Sequence, residues 1–404
     1  MEFLLIAIVD LAAPLSALSL FFTLDLLVVA VDGVAFLAEA LLRLLSGRAR
    51  SSGKTASDPE AIDPLPIRRK SSWRRRILLA ALAVFALLLA GVWMADRFYF
   101  EPIMRWGAAR LEKSAGVAVD FKDVSGSLWT GEIHFTDLAM KRDSHPVSTF
   151  DVAVDRVDMR VSVVRLLWRQ LRLESLAVDG ARGTWTRLAK AESGGVLRTF
   201  SISDFRLDDF RIDYHNRLAG PGALPVEIRV ESMQSLGLSS RWLILQLLFV
   251  SRVTGSIDGA PFLVRPDTKT LLDVTTTWKC DGLPLPVLAS LVGRPFTMFE
   301  RGRVDVFIEN SVYFRPEFAL VMDWNVILGD FAARVPPGAT LKEKAVYLPV
   351  VSYLNLRKKS LNLAFKARLA KKNSSIATSD DLESSLDLGA KVFEALKGRG
   401  PDAP

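Results

Sequence analysis

The sequence predicts a β-rich α+β protein: a long, curved, mostly antiparallel sheet that forms a groove with short helices, behind an N-terminal transmembrane region. Three observations lead to this prediction. From Gly116 onward apolar and polar residues alternate with a period of two, as in Val117 to Phe121, which is typical of half-buried antiparallel strands. The same short interruption recurs within this alternation. An uncharged stretch, Ile77 to Ala95, comes before it.

The composition combines two regimes. The chain has 404 residues, half of them hydrophobic, and a formal net charge of +7. Most of that excess stands directly before the uncharged stretch, on Arg68, Arg69, Lys70, Arg74, Arg75 and Arg76. The other charges are mixed in sign, so the cationic stripe that binds phosphate backbones is missing and nucleic acid is not an expected partner.

The stretch Ile77 to Ala95 is predicted to be a transmembrane anchor, assigned to residues 77–96. Its nineteen uncharged residues, at about 1.5 Å each, nearly cover a hydrocarbon core of about 30 Å. The cationic cluster before it is a topology signal that places this end in the cytoplasm. A cleaved signal peptide is the alternative, but Trp93 fits poorly near a cleavage site that prefers small residues. We therefore expect a retained anchor, with residues 97–404 exported.

Residues 1–46 are predicted to be an apolar helical membrane segment, and residues 47–76 a flexible, basic cytoplasmic linker. Asp25, Asp32 and Glu39 recur every seven residues and would form one polar stripe on a helix, which favours a hairpin or an interfacial helix over a single span. A translation start further downstream is the alternative. Near the other end, acidic residues after Ser379 and Gly398 after Lys397 predict a C-terminal amphipathic helix.

One pattern repeats in the exported domain: two alternating apolar positions, a two-residue interruption, then two more. Strict alternation would turn the second pair to the opposite face, so each interruption must be a bulge or bend that restores the apolar side, and repeated bulges curve a sheet. An apolar groove wall and a dry protein core are both compatible with this pattern. The candidates for a lipid groove are Ile133, Phe135, Leu138, Met140, Leu171, Leu173, Leu176, Val178, Phe200, Ile202, Phe205 and Leu207.

Short helical runs are predicted between strands, at Val161 to Arg169, Arg241 to Arg252 and Pro284 to Gly293. The run Trp242 to Val250 has only Gln246 as a polar residue, so it is too short to span a bilayer and too apolar to lie in water. We expect it to pack over the curved sheet as core, with direct lipid contact as the alternative.

Catalytic and metal-binding patterns are missing from the sequence. The single cysteine, Cys280, excludes an internal disulfide and predicts a small buried apolar residue. His134, His145 and His215 are scattered, without a metalloprotease, hydrolase or phosphate-loop motif. We therefore predict neither an enzyme nor a cofactor or metal.

With this order of segments, the sequence resembles the AsmA-like family, which includes TamB. In that family a G-S-L strand follows the anchor, a short LL helix precedes an L-x-L-x-x-L-x-V-x-G strand, and a G-x-I-D-G strand comes later. The residues that carry the resemblance are Val124 to Trp129 with Gly131 and Ile133, Leu166 to Trp168, Leu171 to Gly180, and Val253 to Gly259. These motifs are degenerate and reflect strand geometry more than chemistry.

The resemblance implies an inner-membrane protein of diderm bacteria whose periplasmic β-groove handles phospholipids for outer-membrane biogenesis. Phospholipids, the inner membrane and other envelope proteins are the implied partners. The chain is short for this family and carries an extra apolar extension before the anchor. We expect about 15 to 20 strands, hence a groove of roughly 70 to 95 Å. The alternative is a non-catalytic assembly scaffold that pairs its sheet edge with another envelope protein.

Overall fold

The computed structural model describes most of the chain from residue 71 onward. The described residues are 71–371, with gaps at 95–96, 99, 128, 163–170, 190–199, 221, 240–245, 247–248, 269–272, 294–295, 314–317, 337 and 357–359, and then 390, 391 and 394. The predicted segment 1–46 and residues 47–70 of the predicted linker 47–76 lie outside them, and residues 71–76 are helical and not part of a flexible linker. Most of the helical runs predicted at Val161 to Arg169 and Arg241 to Arg252 also lie outside the described residues.

The described residues form one sheet of twelve strands, in which every strand pairs with its neighbours in the sequence. All pairs are antiparallel except β4 with β5, which are parallel. The predicted β-rich, mostly antiparallel open sheet is therefore confirmed. The strands are β1 Ala118–Ser127, β2 Glu132–Arg142, β3 Ser148–Val161, β4 Leu171–Arg187, β5 Phe200–Asn216, β6 Val226–Ser239, β7 Arg252–Ile257, β8 Ala260–Thr268, β9 Asp273–Pro284, β10 Phe299–Tyr313, β11 Phe318–Ala333 and β12 Ser360–Lys371.

In the described part of the chain, the helices with described bounds are α1 Ser71–Met94, α2 Phe100–Ala115, α3 Leu285–Val292 and α4 Leu341–Leu356. Helix α3 confirms the run predicted at Pro284 to Gly293. Within the described part of the chain, no helix combines the length and the apolar character required to cross a bilayer. Helix α1 contains most of the predicted anchor, and its insertion into a membrane stays a prediction. Ala390, Lys391 and Glu394 are helical, in the region of the predicted C-terminal helix.

The predicted interruptions are present as bends and not as bulges: the register is unchanged across them, and they are aligned from strand to strand. In β2, Phe135 pairs with Val157 and Leu138 with Val154, and Asp137 is passed over in the ladder. The same happens at Asp209 in β5, where Asp208 pairs with Ser232 and Phe210 with Val230. Asp137 and Asp209 have φ values of 50° and 46°, a left-handed conformation that Asp tolerates better than most residues. Each bend keeps the apolar residues of its strand on one face of the sheet.

Because the bends lie side by side on neighbouring strands, the sheet has two distinct faces along its length. On β12, for example, Leu361, Leu363 and Phe365 are buried while the residues between them are exposed. We call the apolar side the inner face and the polar side the outer face. The outer face carries cross-strand ion pairs such as Arg182 with Asp155 and Asp209, at 3.6 and 3.3 Å.

The sheet bends enough to bring its fifth and tenth strands to the same helix. Helix α3 packs on β9 and β10 and also contacts β5 and β6, where Asn216 Nδ2 donates to the Leu291 carbonyl at 2.7 Å. In a flat sheet β5 and β9 would be about 19 Å apart. The contact therefore requires strong curvature, with the inner face on the concave side.

The described residues hold twelve strands, fewer than the roughly 15 to 20 expected for the chain. Strands such as β4 and β5 have 17 residues each, far more than the usual five or six, so the same length of chain gives fewer strands. At about 4.8 Å per strand the sheet extends about 55 Å. The expected reach of roughly 70 to 95 Å is corrected accordingly.

Candidate functional site: the inner face of the sheet

Ten of the twelve predicted groove residues have described side chains, and these lie on the inner face of β2, β4 and β5 and are not accessible. Where their side chains are described they are at most 4% exposed, with Phe135, Leu138 and Leu207 at 0%. The side chains of Leu171 and Phe200 lie outside the described residues. In this part of the sheet, the apolar wall is covered by the protein itself.

One end of the inner face is closed by polar side chains. This end, where β1 begins, is called the Ala118 end. Four buried polar residues lie there on adjacent strands: Arg142, Ser148, Arg187 and Asn216. Arg142 donates to Ser148 Oγ at 2.9 Å, and Arg187 pairs with Ser148 on one side and Asn216 on the other. Next to this row is a cavity of about 530 Å³ whose lining includes His215 and Arg217.

The opposite end, where β1 joins β2, is called the Ser127 end. The apolar run before β7 closes it in part: Phe249 is fully buried and its ring stacks on Trp278 at 5.3 Å. Its carbonyl accepts a hydrogen bond from Thr276, a buried residue of β9. Gln246, in the middle of the run, donates a hydrogen bond from Nε2 to the Gly237 carbonyl at 2.7 Å. The expectation that this run packs on the sheet is confirmed for Phe249.

The same end receives helix α2. Phe100 Cζ lies 2.8 Å from the position that a Cβ atom would take at Gly126, near the end of β1. From there α2 runs along β1 toward the Ala118 end, with Met104, Ala108 and Leu111 buried. Since α1 directly precedes α2, the predicted anchor joins the domain at the Ser127 end.

The inner face is more accessible on its C-terminal strands. Four inner-face residues there are only partly buried: Trp278 and Cys280 of β9, Val306 of β10 and Trp324 of β11. We call these four residues the trough. Cys280 pairs with Val306, and Ile308 lies between Trp278 and Trp324. Phe365 of β12 stacks on Trp324 at 5.3 Å and extends the apolar surface to the last strand.

The trough was not among the residues proposed from the sequence. The repeat that identified the N-terminal candidates is not visible in β9, where Thr275, Thr276 and Thr277 interrupt the apolar pattern. The two tryptophans at alternating positions of β9 and β11 were the available signal. They mark an apolar face, but periodicity does not reveal which part of that face stays uncovered.

The trough contains the only cysteine of the chain. Burial raises the pKa of the Cys280 thiol from 9.0 to about 11, because a thiolate is poorly solvated in apolar surroundings. The thiol therefore stays protonated at neutral pH and behaves as a small apolar group of the wall, as the sequence predicted.

The outer face carries ion pairs that include a histidine. His134 Nδ1 and Asp158 Oδ1 are 2.6 Å apart across β2 and β3, and Arg156 Nε contacts the same carboxylate at 2.8 Å. His145 lies in the turn between β2 and β3, at the other end of this hairpin, and His215 lies on β5. Among the residues that the structure describes, no three His, Cys, Asp or Glu side chains are grouped to hold a metal ion.

No model of a known protein family matches the chain, and no curated protein matches it.

Proposed function

We propose that the protein holds or conducts phospholipid acyl chains along the inner face of its sheet, for the biogenesis of a bacterial cell envelope. In this proposal Ile77 to Ala95 anchors the chain in the inner membrane and the sheet lies in the periplasm. The resemblance to the AsmA-like family supports this assignment. The observation that carries it is the continuous apolar inner face, which is partly uncovered at the trough.

The physical argument rests on the apolar surface of the trough. Burying apolar groups gives about 0.8 kcal/mol for each CH₂, so an acyl chain gains several kcal/mol by leaving water for such a surface. Trp278, Val306 and Trp324 offer this surface without a charged group among them. Recognition would then depend on hydrophobicity and on the width of the trough.

The closed N-terminal part defines the direction of entry. Residues such as Phe135 and Leu207 are fully buried, so a lipid would reach them only if the walls of the sheet separated. We therefore propose that acyl chains first occupy the trough, on strands β9 to β12, and that the twelve groove candidates act in a later step or as core.

A scaffold that pairs its sheet with a partner is the second candidate. Within the described residues β12 is the last strand of the sheet and pairs only with β11. Its second edge has backbone groups that another strand could bind. Lys366 and Arg368 are exposed on its outer face, and such charges usually protect an edge from unspecific pairing.

The test is lipid extraction and native mass spectrometry of the full-length protein after mild detergent purification, combined with crosslinking to a phospholipid that carries a photoreactive acyl chain. We expect bound phospholipid and crosslinks on β9 to β12. Val306→Glu should lower the amount of bound lipid several-fold, because its carboxylate enters the trough. Phe307→Glu, on the outer face of the same strand, should not.

Thermal unfolding of both variants provides the control for folding. If phospholipid neither copurifies nor crosslinks to the wild-type inner face, the lipid proposal is wrong. Stable capture of a partner strand on β12 in the absence of lipid would instead favour the scaffold.

A further inference from the structure

Two polar atoms lie without a hydrogen-bond partner in the apolar surroundings of the trough. Among the described residues, neither Asn310 Oδ1 nor Trp324 Nε1 has a partner, although both atoms are buried. Buried polar groups are nearly always bonded, so each such atom needs a reason. One is an acceptor and the other a donor.

The two side chains are neighbours on the inner face. Asn310 pairs with Met322, and Ile308 pairs with Trp324, so Asn310 and Trp324 are diagonal neighbours, with Cα atoms about 7 to 8 Å apart. Asn310 lies two residues after Ile308, and Trp324 lies two residues after Met322. Because both strands alternate regularly here and Ile308 and Met322 face inward, Asn310 and Trp324 face inward too. A single small group could therefore contact both side chains.

The remaining contacts fix the orientation of these side chains. Asn310 Nδ2 donates to the Thr276 carbonyl at 3.3 Å, which leaves Oδ1 as the free acceptor. The Trp324 ring is held by stacking on Phe365 with only 13° between the planes. The structure thus holds one acceptor and one donor in place on a wall that is otherwise apolar.

We infer that Asn310 and Trp324 bind the ester region of a glycerolipid, an inference that rests on the proposed lipid function. Asn310 is fully buried and Trp324 Nε1 is inaccessible, so the lipid enters as the side chains above them move apart. An ester carbonyl of the lipid then accepts from Trp324 Nε1, and a hydroxyl or ammonium donor near the ester binds Asn310 Oδ1. The acyl chain then lies on Cys280 and Val306. This assigns a polar specificity site to a surface that would otherwise bind any oily chain.

Ether-linked lipids separate this inference from general hydrophobic binding. A dialkyl phospholipid has the same head group and chain length as its diacyl analogue but lacks the ester carbonyls. One hydrogen bond to a buried donor corresponds to roughly a threefold to tenfold difference in affinity. We expect the full-length protein to retain the diacyl lipid over the dialkyl lipid by this factor in competition, measured by native mass spectrometry.

Three variants complete the test. Trp324→Phe keeps the stacked ring and removes only the N–H group, so it should abolish the preference for the diacyl lipid. Trp185→Phe is the matched control: its Nε1 is also buried without a partner and its ring stacks on Phe150 at 5.2 Å, but it lies outside the trough. That variant should keep the preference. Asn310→Leu should weaken the binding of both lipids.

The outcomes distinguish the inference from the proposal beneath it. If the wild-type protein binds both lipids equally, and Trp324→Phe changes nothing, the lipid function stands and the inference is overturned, with a buried water as the partner of both atoms. If neither lipid binds, the proposed function itself fails. A loss of the preference in Trp185→Phe would also overturn the assignment to the trough.

Discussion

Gly180 shows how a motif glycine serves the geometry of the sheet. It lies in β4 within the row of aligned bends, with a φ of 69°. A Cβ atom there would collide with the side chain of Asp155. Residues other than glycine pay about 1 to 2 kcal/mol for a left-handed conformation. The glycine that ends the L-x-L-x-x-L-x-V-x-G pattern is therefore required by the backbone and not by a ligand.

The substitution Gly180→Ala should accordingly lower the free energy of unfolding by about 1 to 3 kcal/mol, measured by urea unfolding of the purified protein. Gly222→Ala is the control, because a Cβ atom at Gly222 would meet nothing within 4 Å. Equal stability of the two variants would show that the bend at Gly180 accepts a side chain without strain.

Asp158 gives the outer face a dependence on acidic pH. Burial raises the pKa of this carboxyl group, but hydrogen bonds from His134 and Arg156 and their charges outweigh burial, so the pKa lies below 3.8. A carboxylate with a lowered pKa stabilises the fold above its unfolded pKa, and this contribution is lost as the pH falls through the folded value.

Asp158→Asn should therefore destabilise the protein at pH 7 by about 0.5 to 1 kcal/mol, as expected for a partly exposed ion pair. The difference from the wild type should shrink as the pH falls below 3.8. Thermal unfolding between pH 7 and pH 3 measures it. A difference that stays constant over this range would mean that the amide disturbs packing instead of removing a charge.

At the residue scale the sequence predicted the side of the sheet, and it left open whether that side is a groove wall or a dry core. Ile133 and Leu138 do share one face, because apolar spacing and bend geometry are local properties. Whether Phe135 lines an open groove depends on what other segments cover it, and that information is spread over the whole chain. The same reason explains why Trp278 and Trp324 were missed.

At the scale of elements, helix α2 is attached by a stripe of apolar residues at helical spacing. Met104, Ala108 and Leu111 are buried, and Phe121 of β1 lies under Arg105 at 5.0 Å. The opposite face of the helix carries Trp106, which is 48% exposed. Helix α2 thus covers the first strand of the sheet and connects it to α1.

Leu111→Ala should cost about 2 to 5 kcal/mol of unfolding free energy, as for other fully buried leucines. Trp106→Ala removes more atoms but from an exposed position, so its effect should stay below about 1 kcal/mol. Hydrogen exchange along β1, measured for both variants, should rise only for Leu111→Ala. Similar exchange in both variants would mean that α2 is not docked on the sheet in solution.

Some elements were predictable and others were not, for a physical reason. The bends, helix α3 and the strands β10 to β12 follow from local patterns of apolar residues and turn residues. The parallel pairing of β4 with β5 does not, because the ladder from Leu171–Phe200 to Arg187–Asn216 requires the chain to return to the Ser127 end between these two strands, which periodicity does not reveal. Local periodicity is the same in parallel and antiparallel neighbours of this length.

At the scale of the whole molecule, curvature and end closure determine which part of the apolar face is available. Aligned bends occur in the N-terminal strands. Helix α3 bridges the Ala118 end of the inner face, and Phe249 fills part of the Ser127 end. The trough is what remains partly uncovered. Its cysteine reports on this arrangement, because Cys280 is the only thiol in the chain.

Burial of Cys280 makes both its reactivity and the stability of the fold sensitive to alkaline pH. Because the pKa rises from 9.0 to about 11, the folded protein resists forming the thiolate that the unfolded chain forms readily. The stabilisation is fully present below pH 9 and is lost as the pH rises through about 11. Cys280→Ala removes this contribution, so the difference between the wild type and the variant should change mainly within that window.

Alkylation gives the second readout, since the thiolate is the reactive form. The rate should increase about tenfold for each pH unit below the folded pKa, and bound phospholipid should slow it at every pH by covering the trough. Thermal unfolding and alkylation kinetics of the same preparation, with and without added lipid, separate the two effects. A rate that reaches its plateau near pH 9 would place the Cys280 thiol fully in water and show that the trough is more open than the structure has it.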